Sequence, residues 1–200
     1  AYITGVIDRI DECVDEEGNE NLAKQRFLDW PSSPNQPGVE AGCRALLSWA
    51  LKDAEVLCNL LEEQEHAKKC RAISKRLKKQ IKQPNGLKQA AALMSIAGLM
   101  KPEQACSEVI SVGGAKDFST FYGYYMLQAL AQAGEYQQAL DIIRQYWGGM
   151  LDLGATTFWE DFNLDWTHNA ARLDDFVPEG KDDIHGDFGD YCYPSFRHSF

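Results

Sequence analysis

The sequence predicts an all-α fold of antiparallel helical hairpins, with long aromatic and acidic loops at one end. Three observations carry this. Apolar residues recur at three- and four-residue intervals over most of residues 39–147, the breaks in that pattern fall at Gly and Pro, and beyond Trp147 the periodicity gives way to Gly, Asp and aromatic residues. The expected organisation is an irregular entry segment (1–38), helical hairpins (39–147) and a loop layer (148–200), within one domain by length.

Residues 1–38 read as irregular and acidic. Asp11, Glu12, Asp15, Glu16 and Glu17 lead to Phe27-Leu28-Asp29-Trp30-Pro31, and Pro31, Pro34 and Pro37 impose extended or turn geometry. Val39, Cys43, Leu46, Leu47, Ala50 and Leu51 then make one apolar helix face, which Val56, Leu57, Leu60 and Leu61 extend. Ala67, Cys70, Ile73, Leu77 and Ile81 form a second stripe, stopped by Pro84-Asn85-Gly86. Leu87, Ala91, Met94 and Gly98 open the next helix. Pro102 suits the first turn of its successor, where a missing N–H is tolerated, and Gly113-Gly114 ends it. From Phe118 to Trp147 two helices are expected, hinged at Gly134, with Leu127, Leu130, Tyr136, Leu140 and Ile143 facing inward.

The charge balance narrows the function classes. Lys plus Arg total 20 against 30 Asp plus Glu, and the net charge of -10 opposes wrapping a nucleic-acid backbone. The basic run Lys68, Lys69, Arg71, Lys75, Arg76, Lys78, Lys79 and Lys82 surrounds an apolar stripe and reads as a solvated helix face. No run approaches the roughly 18 uninterrupted apolar residues of a membrane span. Neither nucleic acid nor membrane is therefore an expected partner.

The six cysteines, Cys13, Cys43, Cys58, Cys70, Cys106 and Cys192, lack CxxC spacing and read as small buried hydrophobes. No cofactor or metal is expected. Asp161, Asn163 and Asp165 begin like a calcium loop, but Trp166 stands where that loop needs Gly and Arg172 where it needs Glu. Asp182, Asp183, His185, Asp187 and Asp190 read as a solvated acidic loop.

Chemistry concentrates in Gly154-Ala155-Thr156-Thr157-Phe158-Trp159-Glu160-Asp161-Phe162. This string sets a carboxylate beside three aromatic rings, the combination a carbohydrate-processing site uses: a ring for a sugar face and a carboxylate to move a proton. A competing feature is the stretch Ala129 to Leu140, whose Gly134-Glu135-Tyr136 hinge is that of tetratricopeptide-type hairpins. The 34-residue period of such repeats is not kept by the preceding Ala97 to Ala105, so the stretch shares their packing solution and not their fold; a helical module that binds a peptide or glycan without chemistry is the alternative to an enzyme.

Gly148-Gly149-Met150, Gly154 to Glu160 and Arg197-His198-Ser199-Phe200 together resemble the bacterial alpha-L-rhamnosidases of glycoside hydrolase family 78. Phe27 to Pro31 and Phe118 to Met126 are similar to that family as well, so the resemblance runs over nearly the whole chain. It implies an (α/α)6 barrel with loops at one end cradling a terminal rhamnose, and hydrolysis with inversion. Glu160 matches the general base that activates water. Asp29 and Trp30 match a segment near the sugar pocket, and Phe121, Tyr122 and Trp159 match its walls or immediate support. Asp161 is a further candidate for orienting water or sugar, and Asp187 for binding at the cleft rim.

The family's general acid belongs to an Asp-x-x-x-x-Asp-Glu-Arg-like segment that would precede Ala1, and a Cys-His-Gly-Trp-like segment would follow Phe200. The resemblance therefore implies an internal piece supplying six or seven of twelve barrel helices. Its implied partners are a rhamnosyl glycoside and the remainder of the parent catalytic domain. Such a piece alone is expected to turn over little or nothing. Location stays open, although family members acting on plant polymers are often exported.

Overall fold

The structure is a computed structural model, and it describes residues 2–21, 26–160 and 162–181. Among these the fold is all-α: seven α-helices are joined by turns, with no strand beyond isolated bridge positions such as the antiparallel bridge between Val14 and Glu20. The chain divides into two units. Residues 1–28 and 32–101 form the first, and residues 29–31 with 102–200 form the second.

The first unit holds α1 (Tyr2–Cys13), α2 (Gln36–Leu60), α3 (Gln64–Leu77) and α4 (Lys88–Ile96). Helix α1 corrects the expectation of an irregular entry. Ile3, Ile7, Ile10 and Val14 keep helical spacing beneath the acidic residues, and they pack into one core with Leu51, Cys58, Ala67, Cys70, Ile73 and Leu77. Some of the acidic residues around this stripe, Asp8, Asp11 and Glu16, face the basic run of α3, while Glu12 and Asp15 pair locally with Arg9 and Asn19. Lys69 Nζ lies 2.5 Å from Asp8, Arg76 pairs with Asp11 and donates to the Val14 carbonyl at 2.7 Å, and Arg71 reaches Glu55 at 2.9 Å. Much of the basic face is thus answered inside its own unit.

Helix α2 starts where the prolines put it. Asn35 Oδ1 accepts from the Gly38 N–H at 3.1 Å, and Pro37 occupies the first turn, where no intrahelical donor is needed. Asn85, at positive φ in the turn before α4, donates to the same Asn35 oxygen at 2.8 Å and so ties both helix starts together. Helix α4 is apolar around most of its circumference and buried from Lys88 to Ser95, as such a helix must be. The extended face expected on α2 is divided: Leu51 and Cys58 are buried, whereas Val56, Leu57, Leu60 and Leu61 are exposed, as is Ile81.

The second unit holds α5 (Pro102–Ala105), continued by a π turn over Cys106–Ile110, then α6 (Gly123–Gln132), α7 (Tyr136–Asp152) and a 3₁₀ turn at Leu164–His168. Helices α6 and α7 form the expected hairpin around Gly134, whose φ of 81° suits a residue without Cβ. They approach closely at Gly123, where a Cβ would meet the Trp147 ring at 2.7 Å. The inward stripe of α7 differs from expectation. Ile142, Tyr146 and Met150 are buried, while Tyr136, Leu140 and Ile143 face outward.

Helix α7 runs to Asp152, so residues 148–152, expected in the loop layer, are helical, and Phe162 of the following segment packs on α7. Tyr146 donates its hydroxyl to the Phe162 carbonyl at 2.9 Å, and the Phe162 ring meets Tyr146, Trp159 and Trp166 edge-on at 5.1 to 6.0 Å. Cys58, Cys70 and Cys106 are buried, and Cys13 and Cys43 half-buried. Cys192, Asp161, Asp187 and the acidic cluster from Asp182 to Asp190 lie outside the described residues.

Candidate functional site

The second unit contains the residues that the sequence singled out for chemistry, and helix ends position them. Where α7 stops, the Ala155 N–H donates to the Met150 carbonyl at 2.9 Å and the Gly154 N–H to Leu151 at 3.0 Å. Gly154 has φ of 93°, and a Cβ there would lie 2.9 Å from the Asp174 carboxylate. The turned chain is then pinned by Leu173, whose N–H donates to the Leu153 carbonyl at 2.8 Å, and by Arg172, which donates to the Asp152 carbonyl at 2.8 Å. Arg172 also holds the Asp174 carboxylate at 3.0 Å, and that hydrogen bond keeps its pKa below the ordinary value.

This anchored turn delivers Phe158, Trp159 and Glu160. Trp159 is 1 % exposed, against Phe162, and so offers no open face to a sugar; it underpins the neighbouring Glu160, which is half-buried.

The second cluster gathers at the start of α6. The Ser119 carbonyl accepts from the Gly123 N–H at 2.8 Å, and the Ser119 hydroxyl donates to Asp29 Oδ2 at 2.7 Å. Asp29 and Ser119, 90 residues apart in sequence and both in the second unit, are thereby joined through a carboxylate. Trp30, beside Asp29, is 48 % exposed. Tyr122 is buried and stacks edge-on against Phe121 at 5.5 Å.

A cavity of about 470 Å³ opens between α6 and α7, within the size range of ligand pockets. Thr120, Phe121, Tyr124, Tyr125, Leu127, Ile143, Trp147 and Phe158 line it. Of the residues expected at the site, Phe121 alone is in this lining; Asp29, Trp30, Tyr122, Trp159 and Glu160 are not. The Thr120 hydroxyl is buried with no hydrogen-bond partner among the described residues, a polar point in an otherwise largely apolar wall.

Sequence reasoning missed Ser119 as the partner of Asp29, and missed Trp147 and Ile143 as cavity walls. The signal for the latter pair was present in their four-residue spacing. Among the described residues no group of three His, Cys, Asp or Glu side chains converges as a metal site would require. No family model, curated protein or solved structure matches the chain.

Proposed function

We propose that this chain is part of an inverting glycosidase that hydrolyses terminal α-L-rhamnose from glycosides or plant polysaccharides, its hairpins forming part of an (α/α)6 barrel. The observation that carries this is the hydrogen bond from Ser119 to Asp29, because it unites two of the segments that resemble one enzyme family and fixes a carboxylate beside an open indole, Trp30. Glu160, on its anchored turn, is the general base. It takes a proton from a water that attacks the anomeric carbon on the face opposite the leaving group. Asp29 binds a sugar hydroxyl, and Trp30 carries an apolar sugar face.

Inversion needs a second carboxyl group roughly 6.5 to 9.5 Å from the first, protonated so that it releases the leaving oxygen. The remainder of the parent domain supplies that acid, so this chain alone binds substrate weakly and does not turn it over. The test is aryl-rhamnoside hydrolysis by the parent and its Glu160→Gln form. Loss of turnover with the fold intact supports the base assignment, and undiminished turnover removes it.

The α6–α7 cavity favours a second reading, a helical module that binds without chemistry, since its lining contains no carboxylate. Rhamnose titration followed by tryptophan fluorescence separates the two. Quenching that responds to Trp30→Ala belongs to the glycosidase, and quenching that responds only to Tyr124→Ala belongs to the module.

A further inference from the structure

Helix α7 is apolar on two faces. Ile142, Tyr146 and Met150 enter the core of the second unit, whereas Leu140, Ile143, Trp147 and Leu151 repeat at intervals of three, four and four residues on a different side. That interval is the seam by which one helix packs lengthwise on another. Phe121, Tyr124, Ile143 and Phe158 extend the seam across the cavity onto α6 and the following loop.

The amount of surface is informative. Phe121, Tyr124, Leu140, Ile143, Leu151 and Phe158 are each 40 to 67 % exposed. With large side chains offering about 150–250 Å² apiece, they present on the order of 500–800 Å². This reaches the top of the roughly 300–600 Å² of the largest apolar patch on a typical monomer and approaches the roughly 800 Å² that each partner gives to a stable interface.

The electrostatics point to the occupant. The chain carries a net charge of -10, so two copies repel over most of their surfaces. Between Phe118 and Leu151, however, the charged residues are Glu135, Asp141 and Arg144, and the last two already pair at 2.8 Å. With Asp152 and Glu160 beyond its end, this stretch is nearly neutral in itself, and a second copy can approach it with little repulsion. A twofold arrangement sets one copy's seam against the other's, Arg144 and Asp141 remaining at its hydrated edge.

We propose that the α6–α7 face seats the same face of a second copy of this chain, giving a twofold dimer. The inference does not depend on the glycosidase reading. The test is light scattering after size exclusion, with sedimentation from low to high micromolar concentration, on the chain and on Ile143→Glu. The expected result is a species of twice 22.5 kDa that Ile143→Glu weakens on the order of 100-fold, by setting a charge in an apolar interface. Circular dichroism checks that the variant keeps its helices; should it lose them, Leu140→Lys is read in its place. A monomer throughout, a species larger than a dimer, or a dimer that the variant leaves intact overturns the proposal, and a monomer assigns the face to a different helix.

Discussion

Ser119 donates its hydroxyl to Asp29 Oδ2 at 2.7 Å across 90 residues of sequence. Ser119 is buried and Asp29 half-buried, so this bond to a carboxylate is partly shielded from water and belongs to the stronger class of hydrogen bonds. Within the second unit this contact holds Asp29 against the start of α6 and fixes its carboxylate.

Ser119→Ala should therefore cost about 1–3 kcal/mol of stability, read as a lower urea midpoint. On the proposed glycosidase reading, the same substitution in the parent should raise KM for an aryl rhamnoside more than it lowers kcat, because Asp29 is proposed to bind sugar and not to move a proton. A fall confined to kcat would place Asp29 in the chemistry instead.

The α1–α3 contact predicts a pH window. The hydrogen bond from Lys69 holds the Asp8 carboxyl below its ordinary value of 3.8, and the same bond holds the Lys69 ammonium above its ordinary 10.5. A lowered carboxylate pKa stabilises the fold above 3.8 and is lost as pH falls through the folded value. The raised lysine stabilises below 10.5 and is lost as pH rises through its folded value. Urea midpoints of the chain and of Asp8→Asn should differ near neutral pH, where Asp8 is ionised against Lys69 and His66, and the gap should shrink as pH falls below 3.8 through the lowered folded value. A gap as wide at pH 3 as at pH 7 would exclude this pair as its source.

The same contact explains what the sequence concealed. In α1 the spacing of Ile3, Ile7, Ile10 and Val14 was legible, but the acidic residues around it suggest a solvated segment until their partners, 60 or so residues away on α3, are known. Helix α7 shows a different limit. Periodicity found an apolar stripe at Tyr136, Leu140 and Ile143, yet a helix apolar on two faces carries two such stripes, and spacing alone does not say which one meets the core. The breaks at Pro84 to Gly86 and at Gly134 were readable because glycine and proline act locally. The site was legible to the extent that motifs are local: Asp29 and Glu160 stand in recognisable strings, whereas Ser119 is an ordinary serine until the chain folds.

Adjacent glycines near the end of α7 should respond with opposite signs. A Cβ at Gly148 meets nothing within 4 Å, so Gly148→Ala should stabilise by about 0.5–1 kcal/mol through reduced freedom of the unfolded chain. A Cβ at Gly149 would lie 3.0 Å from the Phe162 ring and 3.1 Å from the Thr167 methyl, so Gly149→Ala should destabilise by about 1–3 kcal/mol. Thermal melts of both variants check the pair, and equal shifts would mean that Phe162 does not pack on α7 as described.

Trp159 and Glu160 should separate folding from chemistry. Trp159 is 1 % exposed and supports the turn that carries Glu160. Trp159→Ala opens a cavity and should cost about 3–5 kcal/mol, taking activity of the parent down with the fold. Glu160→Gln is nearly isosteric at a half-buried position and should leave the urea midpoint within about 0.5 kcal/mol of the starting protein. It should nevertheless reduce parent turnover by a factor of about 100 or more, since an amide cannot accept the proton of the attacking water. Azide, a small anion that attacks without a base, should restore turnover to Glu160→Gln while leaving Trp159→Ala unimproved. Rescue of neither variant, with Glu160→Gln folded, would move the base to a different carboxylate.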